Sequence, residues 1–143
     1  MSDVRIGIIG GGLMGRELAA VCGRWLHLVD HPVRPSVVAV ADLDPAAREW
    51  FRQVPTLETL TDSWRDLVYD DSLEVLYIAV PHNLHEEIYT TAAHAGRDFL
   101  AEKPFGLDLG ASERIAAAID EAIWRLGTVE PWESVEARWQ SEQ

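Results

Sequence analysis

The chain is 143 residues long, 48% hydrophobic and 25% charged, with a formal net charge of −12 from 24 acidic against 12 basic residues. That length suits one ordinary domain and not two, and the apolar fraction is that of a soluble globular protein instead of a disordered or membrane-embedded one. The negative balance repels phosphate backbones and anionic headgroups, so neither nucleic acid nor a membrane is an expected partner.

Cys22 is the sole cysteine, which leaves no intramolecular disulfide and no thiolate cluster; a buried structural thiol is the expected state. Met1-Ser2-Asp3 leads straight into a strand-like segment, without a basic and then apolar leader, and no apolar run approaches the roughly 20 residues of a membrane span. A cytoplasmic location is expected. Of the basic residues only Lys103 is a lysine.

In chain order, Val4 to Ile9 is a β-branched apolar run suited to a strand buried on both faces. Glycines follow, and from Leu13 a helical spacing runs to about Leu28, ended by the Asp30 to Pro35 segment with its two prolines. Val37 to Ala41 is a second strand, closed by Asp42. Asp44-Pro45 starts a helix, with Asp as N-cap and Pro at the first helical position. Leu57 to Leu60 reads as a short strand, Asp62 as the cap of a helix through Tyr69, and Val75 to Val80 as a strong strand. Leu84 to Ala95 is a helix stopped by Gly96, Phe99 to Ala101 a fifth strand, and Leu109 to Leu126 an alanine-rich helix ended by Gly127. Strands alternating with helices imply βαβ units, hence an α/β domain with a doubly wound parallel sheet, the Rossmann fold. Residues 1–127 form that domain; residues 128–143 show neither period and are a tail of undetermined structure.

Gly10-Gly11-Gly12-Leu13-Met14-Gly15 satisfies G-x-G-x-x-G between an apolar strand and a helix. Gly10 permits the tight turn, Gly12 lets backbone approach a pyrophosphate, and Gly15 lets the helix pack on the strand. With Leu13 and Met14 they open the helix, whose free N–H groups and dipole favour an anion. Asp42, at the end of the second strand, is placed to accept hydrogen bonds from adenosine ribose hydroxyls. Leu43 and Asp44 offer no cation for a 2′-phosphate, so NAD is expected over NADP; Arg48 is the one residue that would reverse this.

Val80-Pro81-His82-Asn83-Leu84-His85, together with Ala95 to Phe99 and Leu100-Ala101-Glu102-Lys103-Pro104, resembles the Gfo/Idh/MocA family of oxidoreductases, from about Val4 to Leu126. The resemblance implies that Gly10, Gly12 and Gly15 bind pyrophosphate and Asp42 the ribose. It further implies that Pro81, Asn83 and His85 line the path to the nicotinamide, and that Glu102 and Lys103 stand beside it. Lys103 would then meet the reacting hydroxyl of a sugar or polyol, where an ammonium stabilises developing alkoxide charge. Lys103 and His85 are the expected catalytic pair. The resemblance also implies a larger second α/β domain that supplies most substrate contacts, and that domain is expected to be absent from this chain.

His82 and His85 are three apart, but no third ligand has suitable spacing, so no metal is expected. Two functional readings stand: an NAD-dependent sugar or polyol dehydrogenase, and a nucleotide-binding module without complete chemistry, whether stand-alone or from a shortened gene. Trp132 and Trp139 in the tail would cover an exposed face through a homodimer.

Overall fold

The computed structural model describes residues 2–27, 29 and 32–126. Strands and helices alternate: β1 (Ser2–Ile9), α1 (Leu13–Gly23), β2 (Val33–Ala41), α2 (Pro45–Trp50), β3 (Thr59–Thr61), α3 (Trp64–Val68), β4 (Val75–Ile78), α4 (His85–His94), β5 (Asp98–Ala101) and α5 (Leu109–Leu126). The five strands form one sheet in the order β3-β2-β1-β4-β5, and each neighbouring pair is parallel. The chain winds from β1 outward to β3, then returns to the other side of β1 for β4 and β5. Connections therefore leave β1 and β4 in opposite directions at their carboxyl ends and open a crevice there.

The sheet lies between two apolar layers, which is why β1 and β2 carry continuous β-branched runs instead of alternating ones. On one face Ile9, Val38, Leu76, Ile78 and Ile88 pack with Leu67 and Ile115. On the other Ile8, Val37, Val40 and Phe51 pack with Ala19, Cys22 and Tyr77. Helices α4 and α5 meet through Ala93, Ala118 and Ala122, whose small side chains allow close approach.

Several boundaries differ from the expected ones, each for a local reason. Helix α1 stops at Gly23 and does not continue to Leu28; Arg24 N–H turns back to Val21 O at 3.0 Å, and a 3-10 turn follows at Trp25–His27, which presents no buried face. Strand β2 begins at Val33 and takes in Pro35 instead of breaking there. Pro35 pairs with Val4, while β3 joins β2 only from Ala39 onward, so the missing proline N–H interrupts no ladder on that side. Strand β3 occupies Thr59–Thr61, and the N-cap of α3 is Ser63, not Asp62; Thr61 Oγ accepts Ser63 N–H at 3.1 Å and donates to Asp66 at 2.5 Å. Strand β4 ends at Ile78, two residues before the expected Val80, as the chain peels away toward Pro81. The start of α2 follows expectation: Asp44 caps it by accepting Ala46 N–H at 2.9 Å. Leu28, Asp30, the Gly127 stop, the 127/128 boundary and the tail with Trp132 and Trp139 lie outside the described residues.

Candidate cofactor site

The glycine loop joins β1 to α1 at the mouth of the crevice. Gly10 has φ of 101°, and a Cβ there would lie 2.3 Å from Ala79 O, so both its backbone and its packing demand glycine. A Cβ on Gly15 would lie 2.3 Å from Gly10 O, which sets how closely α1 sits on the loop. A Cβ on Gly12 would meet nothing within 4 Å. No protein atom requires glycine at position 12; the backbone is bared toward open space. Gly12 is also the N-cap of α1, no side chain caps the helix, and its first turn holds no acid. The leading N–H groups are thus left for an anion, which the helix dipole favours. Leu13 and Met14 turn their side chains outward, 74% and 47% exposed.

Asp42 closes β2 and braces the loop. Its Oδ2 accepts Gly11 N–H at 2.7 Å, and its Oδ1 accepts Asp44 N–H at 2.8 Å. Arg48 directs one guanidinium nitrogen at the carbonyls of Asp42 and Leu43, at 2.5 and 3.1 Å. Arg16, which the sequence reading passed over, donates to Gly11 O at 3.3 Å and lies 5.3 Å from the Trp50 ring.

A cavity of about 210 Å³ follows the crevice, walled by Gly10, Gly12, Asp42 and Pro81 among the anticipated residues. Asp62 and Trp64 join that wall. Their place there comes from the β3–α3 turn, next to β2 in the sheet, and no sequence period signals it. The remaining anticipated residues stand apart from this wall. Asn83 is exposed in the 3-10 turn His82–Leu84 before α4, and Glu102 and Lys103 leave the end of β5.

His85 was expected to face the cofactor path. Its ring is instead fully buried, with Nδ1 2.8 Å from Pro104 O and Nε2 3.0 Å from Val80 O. Neither nitrogen is presented to the crevice, because α4 turns its first residue inward onto the segment after β5. Glu102 is held from both faces of the sheet. Tyr77 donates to its carboxylate, and Tyr89 Oη both donates to its carbonyl at 3.1 Å and accepts its N–H at 3.0 Å. Burial pushes the Tyr89 phenol up to about 12, and burial with the Glu102 hydrogen bond raises that of Tyr77 further. Neither tyrosine carried a sequence signal beyond its place in an apolar element. Burial likewise raises the Cys22 thiol.

A family model described as an oxidoreductase family with an NAD-binding Rossmann fold, GFO_IDH_MocA, matches residues 4–128. The chain belongs to this family. It is 31% identical over 105 residues to levoglucosan dehydrogenase of Pseudarthrobacter phenanthrenivorans, covering 73% of this chain and 27% of that protein. It is 32% identical over 127 residues to human trans-1,2-dihydrobenzene-1,2-diol dehydrogenase, covering 88% of this chain and 36% of the relative. Among solved structures, levoglucosan dehydrogenase in complex with NADH and L-sorbose superposes with a TM-score of 0.77 at 29% identity, over 85% of this chain and 33% of that one. The chain thus spans about a third of the length of the relatives it matches.

For this Gfo/Idh/MocA domain the fit of a dinucleotide rests on the chain's own geometry: an open backbone at Gly12, an uncapped helix start and a carboxylate at the end of β2. Among the described residues, no helix is long and apolar enough to cross a membrane, and no three His, Cys, Asp or Glu side chains gather as a metal site.

Proposed function

We propose that the domain binds NAD along the β1–β2–β4 crevice and serves the oxidation of a sugar or polyol hydroxyl to a carbonyl, or the reverse reduction of that carbonyl. The bared backbone of Gly12 at an uncapped helix N-terminus, facing the Asp42 carboxylate across the loop, carries this reading. The backbone N–H groups after Gly12 would hold the pyrophosphate, and Asp42, whose oxygens each keep a free lone pair, would accept from the ribose hydroxyls. Asp62 and Trp64 would bound the adenosine end, and Pro81 the nicotinamide end. The carboxylate at Asp42 and the turning of Arg48 onto backbone carbonyls favour NAD over NADP.

Bound NAD supplies a two-electron acceptor for the carbon that bears the substrate hydroxyl. Lys103 is the chain's contribution to that chemistry. Its ammonium, leaving the carboxyl end of β5, would accompany the hydroxyl as its proton departs and stabilise the oxyanion. The relatives named as dehydrogenases of levoglucosan and of a dihydrodiol act on hydroxyl-bearing rings, which supports that substrate class.

Titration with NADH, followed by energy transfer from tryptophan to the reduced nicotinamide, tests the binding reading; no transfer up to millimolar NADH would overturn it. Turnover of sugars and polyols with NAD then separates the dehydrogenase from a second reading, a binding module whose chemistry is completed elsewhere.

A further inference from the structure

Glu102, Lys103 and Pro104 leave β5 at the edge of the sheet, where Leu100 is 54% exposed and no strand pairs beyond it among the described residues. An exit of this kind, short and at a sheet edge, is ordinarily among the looser parts of a domain. Here it is gripped on both sides of the lysine. Tyr89 Oη holds both backbone groups of Glu102, at 3.1 and 3.0 Å. His85 Nδ1 reaches Pro104 O at 2.8 Å. Tyr77 fixes the Glu102 carboxylate, whose other oxygen accepts Lys103 N–H at 3.3 Å.

The two gripping residues pack as one unit. Tyr89 and His85 lie one helical turn apart on α4, so their side chains share a face. Both are fully exposed to no solvent, at 0%, and their rings stack 4.7 Å apart at 27°. Tyr89 also stacks on Phe99 at 5.5 Å. Phenylalanine would fill that stack equally well; the hydroxyl is required only by Glu102. The second ring nitrogen of His85 contacts Val80 O at 3.0 Å, and Val80 lines the crevice. One buried ring therefore bridges the crevice wall and the segment that carries Lys103.

We propose that Tyr89 and His85 are positioning residues, fixing the backbone on either side of Lys103 relative to the wall of the cofactor crevice. This rests on the reading of Lys103 as the group beside the nicotinamide. Lys103 itself has an exposed side chain, so its own contacts do not locate it; its neighbours do.

Because Lys103 is the sole lysine, reductive methylation with 13C-formaldehyde labels it and the terminal amine alone, giving Lys103 an isolated resonance. Addition of NADH to the full chain is expected to shift that resonance. In Tyr89→Phe the shift is expected to fall by about half or more, while NADH affinity by energy transfer stays within about twofold of the parent chain. An undiminished shift in Tyr89→Phe overturns the positioning role. So does a loss of NADH affinity in step with the shift, since that marks general damage to the crevice. If Tyr89→Phe does not fold by circular dichroism, His85→Gln carries the same test with the same outcomes. A parent chain that binds NADH without any Lys103 shift overturns the underlying reading of Lys103 instead, and is told apart by needing no variant.

Discussion

The Asp42 carboxylate accepts the Gly11 N–H at 2.7 Å, which ties the end of β2 to the loop after β1 across 31 positions of sequence. The residue proposed to hold the ribose therefore also shapes the loop proposed to hold the pyrophosphate. On that proposal one side chain would set both ends of the adenosine diphosphate half, and charge-assisted bonds of the Gly11–Asp42 type are roughly twice as strong as neutral ones.

Asp42→Ala removes both the acceptor for the ligand and the brace on Gly11. A hydrogen bond to a charged group contributes about 1.5–3 kcal/mol, so NADH affinity should fall by about 10- to 100-fold. The energy-transfer titration reads this directly, and an unchanged dissociation constant would remove Asp42 from the site.

Gly12→Ala and Gly15→Ala should separate binding from folding. At position 15 the new methyl meets Gly10 O at 2.3 Å and α1 must shift, a destabilisation of about 1–3 kcal/mol by urea unfolding. At position 12 nothing of the protein is met, so stability should change by less than about 1 kcal/mol while NADH binding is lost. Equal destabilisation by both would mean that Gly12 serves the fold and not a ligand.

Lys103→Met keeps the length of the side chain and removes the ammonium. Cofactor affinity should hold, while turnover of any accepted polyol falls by about 10²–10⁴-fold, the usual scale for a lost acid–base group. Loss of both in parallel would point to a binding role alone.

The alkaline limb of stability should depend on Tyr89. Its pKa is raised from 10.0 in an ordinary phenol to about 12 by burial, so between those values the folded chain retains a proton that the unfolded chain has released. The contribution is fully present below pH 10 and is lost as pH rises through about 12. Urea midpoints should fall more steeply between pH 10 and 12 in the parent chain than in Tyr89→Phe; the Tyr77 shift has the same sign and leaves the variant a residual slope.

What the sequence by itself determined is local in origin. The glycine pattern, the β-branched runs, the Asp44-Pro45 helix start and the position of Asp42 at the end of a strand depend on backbone sterics and capping among residues a few positions apart. The alternation of those elements implied the parallel sheet, because a parallel pair requires a crossover between its strands.

What only the tertiary structure decided are the partners. Whether His85 faces a ligand or the interior depends on α4 lying against the exit of β5, and nothing in its own neighbourhood in sequence reports that. Tyr89 gripping Glu102, Trp64 and Asp62 walling the crevice, and Asp42 bracing Gly11 arise in the same way, from strand order β3-β2-β1-β4-β5 bringing loop ends together. Periodicity records that a side chain is buried; it does not record what the side chain is buried against. His85 was therefore noticeable from its motif, and that its ring joins Val80 to Pro104 came only from the packing.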